Sequence, residues 1–320
     1  MHYLIGTDEA GYAPNLGPLV ISATTWEIDD RIDDDRLYDS LGDVVCVSPR
    51  DAHAARVAWA DSKALYSPGQ GLAALERGML AALALIDVMP TDWRGLWQTL
   101  DKDAAARLES VPWHLGFNAE LPLAADLADF GPLVAAIDSG CATAGVRLVS
   151  VASKAIFPEE FNELVERHGN KAEVLSRLTL ELIGRAMDRL AVLPIRILCD
   201  KHGGRNRYGR LLQQQFCERL VEVRDEGPIE SAYAWGPEAA RVEVRFRIGC
   251  ESFLPVALAS MACKYLREAA MLAFNRFWCQ RMPELRPTAG YPTDAKRFKH
   301  QISALQSELG IDDGLLWRVR

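Results

Sequence analysis

Along the chain, short runs of β-branched and aromatic residues alternate with longer stretches in which apolar side chains recur at helical spacing. Residues 3–5 and 19–26 are strand-like, and Gly11, Pro14, Asn15, Gly17 and Pro18 between them supply turn chemistry. The acidic stretch 29–39 reads as an exposed loop. Leu72, Leu75, Met79, Leu83 and Ile86 predict a helix over 71–86. Residues 146–153 read as a strand, and a helix follows Pro158. A longer helix covers 172–193, with Leu175, Leu178, Leu182, Met187 and Leu190 on one side. Residues 195–199 form a short buried strand ending at Asp200, and 243–248 form another. A strongly apolar helix spans 256–278, starting at Pro255, a residue favoured in a first turn. Residues 285–292 form a loop and 295–309 a final amphipathic helix. Strands alternating with helices predict an α/β domain.

Between residues 90 and about 145 the periodicity degrades, and WRGLW, VPWHLGF and ELPL interrupt short periodic pieces. This segment is expected to be an insertion with its own small core. Its anchors are Trp93, Trp97, Trp113 and Phe117, read as packing residues.

The 320 residues allow one large domain or two ordinary ones, and 49% hydrophobic with 25% charged residues is the composition of a soluble globular protein. A net charge of −8 excludes a protein that holds DNA by overall charge, so a nucleic-acid surface must be a local basic patch. Local acidity suits a site that collects divalent cations. The seven cysteines are scattered, odd in number and without a C-x-x-C pair. That pattern argues against a disulfide framework and a cysteine zinc site, and for a reducing compartment. No charged leader precedes an apolar run, and stretches 79–86 and 253–263 are too short to span a bilayer. A cytoplasmic protein without a membrane partner is expected.

Asp8 and Glu9 stand where an apolar strand meets a glycine turn. Neighbours on a strand point to opposite faces, so both reach one site only if the strand ends there. Such a pair suits Mg²⁺ or Mn²⁺, and equally a solvated strand end. Asp200 follows the buried run RILC, and a carboxylate at a strand end is a recurrent ligand position or a cap. Ser260, Lys264 and Glu268 are spaced by four and form a polar stripe on the apolar helix. Either Lys264 and Glu268 pair with each other, or Glu268 holds a metal while Lys264 steadies a phosphate. Carboxylates from separate elements point to two-metal phosphoryl chemistry. No G-x-S-x-G nucleophile turn or G-x-x-x-x-G-K-[ST] phosphate loop occurs.

Six motifs in order resemble the type 2 ribonucleases H. DEAGYAPNLGPL (8–19) is similar to the family's DEAGRGxxxGPL, and DSKAL (61–65) to its DSKKL. PEEFN…NKAEVLSRLTLELI (158–183) resembles its middle helical region. LCDKHGG (198–204) falls where the family has a strand ending in Asp-Gly. PVALASMACKYLRE (255–268) resembles AAASIxAKxxRD, and GYPTDAKRFKHQISALQSELG (290–310) resembles its GYxTxxHxxALxxxG tail. Residues 90–145 have no counterpart. The resemblance implies a ribonuclease H-like mixed sheet flanked by helices, a helical C-terminal extension and an inserted subdomain. The expected division is a catalytic domain over 1–265, interrupted at about 90–145, and an extension over 266–320.

The resemblance further implies an Mg²⁺- or Mn²⁺-dependent endonuclease that cuts RNA in RNA/DNA hybrids, or ribonucleotides within duplex DNA, leaving 3′-hydroxyl and 5′-phosphate ends. Carried over by position, the catalytic and metal-holding residues are Asp8, Glu9, Asp200 and Glu268. The family normally has Asp where Glu268 stands, a difference of about 1.5 Å in reach. Its junction-reading Gly-Arg-Gly is here Gly11, Tyr12 and Ala13, and a tyrosine cannot make a forked phosphate contact. Tyr291 matches the tyrosine that packs on the junction sugar, a contact through which RNA is told from DNA. Lys201, Arg205, Arg207 and Arg210 form a basic loop after Asp200, either a backbone-binding loop or a solvated turn. Ser62, Lys63, Lys171 and Lys264 are further substrate-contact candidates, with Lys296, Arg297 and Lys299 weaker ones. The expected partner is nucleic acid, bound by a monomer. Two rivals remain: the same fold acting on another structured nucleic acid such as branched DNA, and a non-catalytic nucleic-acid-binding protein.

Overall fold

A computed structural model describes residues 1–67 and 69–319 of the chain. Its main sheet has seven strands: β1 (His2–Ala10), β2 (Leu19–Ile28), β3 (Val146–Ile156), β4 (Ile195–Asp200), β5 (Glu222–Glu226), β6 (Glu230–Trp235) and β7 (Val242–Arg247). Their spatial order is β3-β2-β1-β4-β7-β6-β5. β1 pairs antiparallel with β2 and parallel with β4, and β4 pairs parallel with β7. The remaining pairings are antiparallel, so the sheet is mixed, as expected. The short parallel strands Val45–Cys46 and Val57–Ala58 form a separate pair.

The helices that flank the sheet are α1 (Ala73–Ala84), α2 (Trp93–Leu100), α3 (Phe130–Ala144), α4 (Pro158–His168), α5 (Lys171–Met187), α6 (Gly209–Gln215), α7 (Leu254–Arg281) and α8 (Pro292–Glu308). Alternation along β1 divides the core. Leu4 joins the layer built around α7, whereas Tyr3 and Ile5 join the layer that contains Leu175, Leu178 and Ile183 of α5. Gly6 lets α7 lie directly on the sheet: a Cβ there would come within 2.3 Å of the Pro255 carbonyl carbon. α7 is buried along most of its length, which its run of alanines permits. Among the described residues, no helix is long and apolar enough to cross a membrane.

Two expectations differ from the structure, and one element was not expected. Residues 90–145 do not enclose a core of their own. Trp93, Trp97, Trp113 and Phe117 enter the same buried layer as α7, Trp93 Nε1 donates to the Ala269 carbonyl at 2.8 Å, and Trp113 meets Phe274 edge-on. The cause is α7 itself, which is apolar on nearly every side and takes the sheet on one face and this segment on another. α7 also runs unbroken through the expected boundary at 265. Finally, β5 and β6 form a hairpin that the sequence did not announce.

Candidate active site

Strand register assembles the centre. Thr7 is paired with Cys199, so the next residues, Asp8 and Asp200, stand level on adjacent strands, about 4.8 Å apart in backbone spacing. β4 continues in register with β7, where Asp200 faces Arg247. The chain leaves β7 through Gly249, whose φ of +75° suits glycine, and the turn Cys250–Ser252 follows. Asp200 Oδ1 accepts from the Gly249 amide at 3.1 Å, which fixes that turn against the end of β4. Glu251 is thereby delivered to the carboxylates.

Their charges act on one another. Burial pushes the Asp8 carboxyl up to about 7, with Glu251 and Asp200 adding repulsion and the Ser260 hydroxyl opposing it. Glu9 is held well above the usual carboxylate range by burial, then by Asp8, Asp200 and Glu251, while Lys63 pulls the other way. Asp200 is raised by burial and by Glu251. Asp8 and Glu9 nevertheless keep partial solvent exposure, so the centre is reachable.

Three of the four carboxylates expected from sequence, Asp8, Glu9 and Asp200, are therefore neighbours, and the fourth charge acting on each of them is Glu251. Glu268 is engaged elsewhere. Its Oε2 accepts from the Tyr66 hydroxyl at 2.8 Å, its Oε1 pairs with Lys264 Nζ at 2.7 Å, and Arg267 Nη1 is 3.5 Å away. The α7 residue acting on Asp8 is Ser260. Glu268 lies eight positions further along the helix, about 12 Å at 1.5 Å per residue. Glu251 lacked the strand-end placement that marked Asp200: it stands four residues past β7, inside the turn that follows Gly249.

Around this centre, Asp61 caps the turn Ser62–Leu65 by accepting from the Lys63 amide, and it also accepts from Ser260 Oγ at 3.4 Å. Ser62 is buried and accepts from Ser260 at 3.0 Å. Lys63 pairs with Glu251 at 3.2 Å while its side chain stays largely exposed. Lys264 sits over the Tyr66 ring, 4.5 Å from its centroid.

The loop after β1 carries the next group. Gly11 has φ +85°, and a Cβ there would meet the Pro18 carbonyl and the Arg267 side chain. Lys171 Nζ lies 4.4 Å from the centroid of Tyr12, and the tyrosine is close enough to Glu9 and Arg205 to feel both charges. Ala13 is exposed, as is Tyr291 at the start of α8. From beneath, Arg267 donates to the Leu16 and Ala289 carbonyls, and buried Arg318 donates to the carbonyls of Gly11 and Pro14. Sequence reasoning missed both buried arginines, because isolated arginines carry no pattern.

The expected basic loop divides. Arg205 pairs with Glu173 at 2.7 Å and reaches toward Tyr12, and Arg207 is exposed with only a distant Glu226 partner at 3.8 Å. Lys201 is turned inward, where its Nζ is bound by Asn206, the Gly227 carbonyl and Ser231. It holds the hairpin loop in place of a ligand.

The oxygen-only donor set and its uncompensated charge fit a hard divalent cation. Among the described residues, no three His, Cys, Asp or Glu side chains already converge on one metal position.

No family model and no curated protein matches the chain. Among solved structures it is similar to the ribonuclease H2 from Pyrococcus horikoshii OT3, with 18% identity, 98% of this chain and 92% of that chain covered, and a TM-score of 0.47. It is similar to the RNase HII of a PCNA complex from Archaeoglobus fulgidus, with 16% identity, 99% and 94% covered, and a TM-score of 0.44. It is also similar to Bst-RNase HIII in complex with Mn²⁺, with 15% identity, 99% and 66% covered, and a TM-score of 0.39.

Proposed function

We propose that this chain is an Mg²⁺- or Mn²⁺-dependent endonuclease that hydrolyses RNA in RNA/DNA hybrids or ribonucleotides embedded in duplex DNA. The observation that carries this reading is the level placement of Asp8 and Asp200 on adjacent parallel strands, with Glu9 and Glu251 beside them. So much partly buried negative charge is costly without a compensating cation. Asp8, Glu9, Asp200 and Glu251 would hold the metal. When bound, divalent ions supply an activated water and stabilise the leaving oxygen of a phosphodiester.

The chain's own residues supply the rest. Burial and mutual repulsion raise Asp8, Glu9 and Asp200, so protons compete with a cation for the same oxygens. Lys63 is the exposed cation at the edge of the cluster, placed to meet a phosphate. Tyr12, with Lys171 and Arg205 beside it, offers a ring face and nearby positive charge. Tyr291 is free to pack on a sugar. Scattered contacts of this kind orient a backbone without reading bases.

The test is a cleavage assay with Mg²⁺, Mn²⁺ or chelator on four substrates: uniform hybrid, single-ribonucleotide duplex, double-stranded DNA and branched DNA. Metal-dependent cutting confined to ribonucleotide-containing substrates is expected, with 5′-phosphate ends. Preferred cutting of branched DNA would replace this substrate assignment. Tight binding with no cleavage on any substrate would make the protein a non-catalytic binder.

A further inference from the structure

Far from the carboxylates, the C-terminal half of α7 and the segment 112–118 enclose a cavity of about 500 Å³. Its apolar wall includes Trp113, Phe117, Phe277 and Ile311, and Leu115 and Leu309 stand at it with 61% and 41% of their surfaces exposed. Two arginines complete the lining. Arg281 lies over the Phe277 ring at 3.8 Å, and Arg276 lies over Phe117 at 5.7 Å. No Asp or Glu lines the cavity, and among the described residues no carboxylate lies within ion-pair distance of either arginine. On a chain with a net charge of −8, that is a local inversion of charge.

We propose that this cavity docks a short acidic peptide segment of a partner protein, with one large apolar side chain buried and flanking carboxylates on Arg276 and Arg281. The apolar wall and the cavity volume suit one or two large side chains. Arg281, held over its ring and by one hydrogen bond to the Phe277 carbonyl, keeps further donors for a carboxylate and has less freedom to lose on binding. Ala273, the first α7 residue of the wall, lies thirteen positions after Ser260, about 20 Å along the helix. A partner seated here therefore leaves the carboxylate cluster open. The inference does not depend on the nuclease reading.

The experiment is selection of a random dodecapeptide display library against the full chain, with recovered peptides resynthesised with fluorescein for anisotropy. The expected consensus is one large apolar residue flanked by Asp or Glu. Affinity should fall by about tenfold or more in Arg276→Glu/Arg281→Glu. A second variant, Leu115→Asp, alters an exposed side chain, so it tests the apolar contact with little risk to folding, which a thermal melt checks. Recovery of basic or neutral peptides, no consensus, or a consensus bound equally by the charge-reversed variant would overturn the proposal. So would displacement of the bound peptide by decanoate or by oligothymidylate at lower concentration than by free acidic peptide. Either result would assign the cavity to a lipid-like acid or to a nucleic acid.

Discussion

Lys63 Nζ stands 3.2 Å from Glu251 Oε1, joining two turns that are 188 positions apart in sequence. Glu251 in turn raises Asp8, Glu9 and Asp200, whereas Glu268 is bound by Tyr66 and Lys264. Asp8→Asn, Asp200→Asn and Glu251→Gln are therefore expected to lower cleavage by at least about a thousandfold, on the scale of several kcal/mol of lost charge stabilisation. Glu268→Gln should retain activity within about tenfold, since it disturbs an ion pair rather than the cluster. Single-turnover rates of the four variants on a uniform hybrid decide this. A dead Glu268→Gln beside an active Glu251→Gln would restore the assignment made from sequence.

The cluster also predicts a stability effect independent of turnover. Asp8 is raised to about 7, so its charged form opposes folding at any pH above its ordinary value, and fully so above 7. Asp8→Asn should raise Tm by about 2–6 °C at pH 8 in metal-free buffer. Added Mg²⁺ should raise Tm of the wild type more than that of the variant, because the wild type has more repulsion to relieve. A destabilised Asp8→Asn protein under these conditions would show that the carboxylate is not under strain.

Tyr12 stands against Lys171 where the resembling family carries arginine. Replacing it by arginine adds a forked donor, worth about 1.5–3 kcal/mol to a charged acceptor, or on the order of 10- to 100-fold. Tyr12→Arg is expected to raise kcat/KM for a single-ribonucleotide duplex relative to a uniform hybrid by that factor. The ratio of the two constants in both proteins is the measurement. A wild type that already prefers the single ribonucleotide a hundredfold would leave Tyr12 no handicap to repair.

A buried glutamate ties the segment just before α3 to the core. Glu76 of α1 accepts from the amides of Leu123, Ala124 and Ala125 at 2.6–2.7 Å and from the Tyr265 hydroxyl at 2.6 Å. Glu76→Ala would strand these donors, at a cost of about 3–5 kcal/mol. Denaturant unfolding gives the value directly, and a loss below about 1 kcal/mol would mean that water replaces the carboxylate.

His2 adds a pH signature in the same direction as that of Asp8, since both are raised in the folded protein and both make folding less favourable as pH rises. Its ring is raised above its ordinary value by Asp34, then by Asp30, against opposition from burial and Arg196. The stabilisation is complete below the ordinary value near 6.5 and is lost as pH rises through the higher folded value. The Tm difference between wild type and His2→Gln should therefore be larger at pH 6 than at pH 9. An equal difference at both would show a packing role only.

Sequence periodicity located most of the sheet and the long helices because their faces are strongly apolar: β2, β4 and α7 lie close to where the pattern places them, while β1 runs well past the expected 3–5 to Ala10. β5 escaped because it is an exposed edge strand whose sequence, EVRDE, has almost nothing to bury. Trp93 and Trp113 were legible as packing residues but not as partners of α7, since composition does not say which surface a ring meets. At the site, Asp200 was legible from a strand end, and Asp8 and Glu9 from the glycine turn after them, although β1 runs on to Ala10 rather than ending at the pair. Glu268 stood out only because it was polar on an apolar helix, a position that Tyr66 and Lys264 explain. Glu251 was hidden by a short turn whose geometry depends on the Asp200–Gly249 hydrogen bond.

Arg318 grips Gly11 and Pro14 from the far end of the chain, and Asn15 exchanges two further hydrogen bonds with its backbone. A contact across 307 positions orders events in time. At about 5–20 residues per second, a ribosome makes the loop beside Glu9 roughly 15–60 s before the arginine that clamps it. Asp8, Glu9, Asp200 and Glu251 are thus all synthesised before Arg318, so the residues of the acidic centre exist before this clamp on the neighbouring loop does.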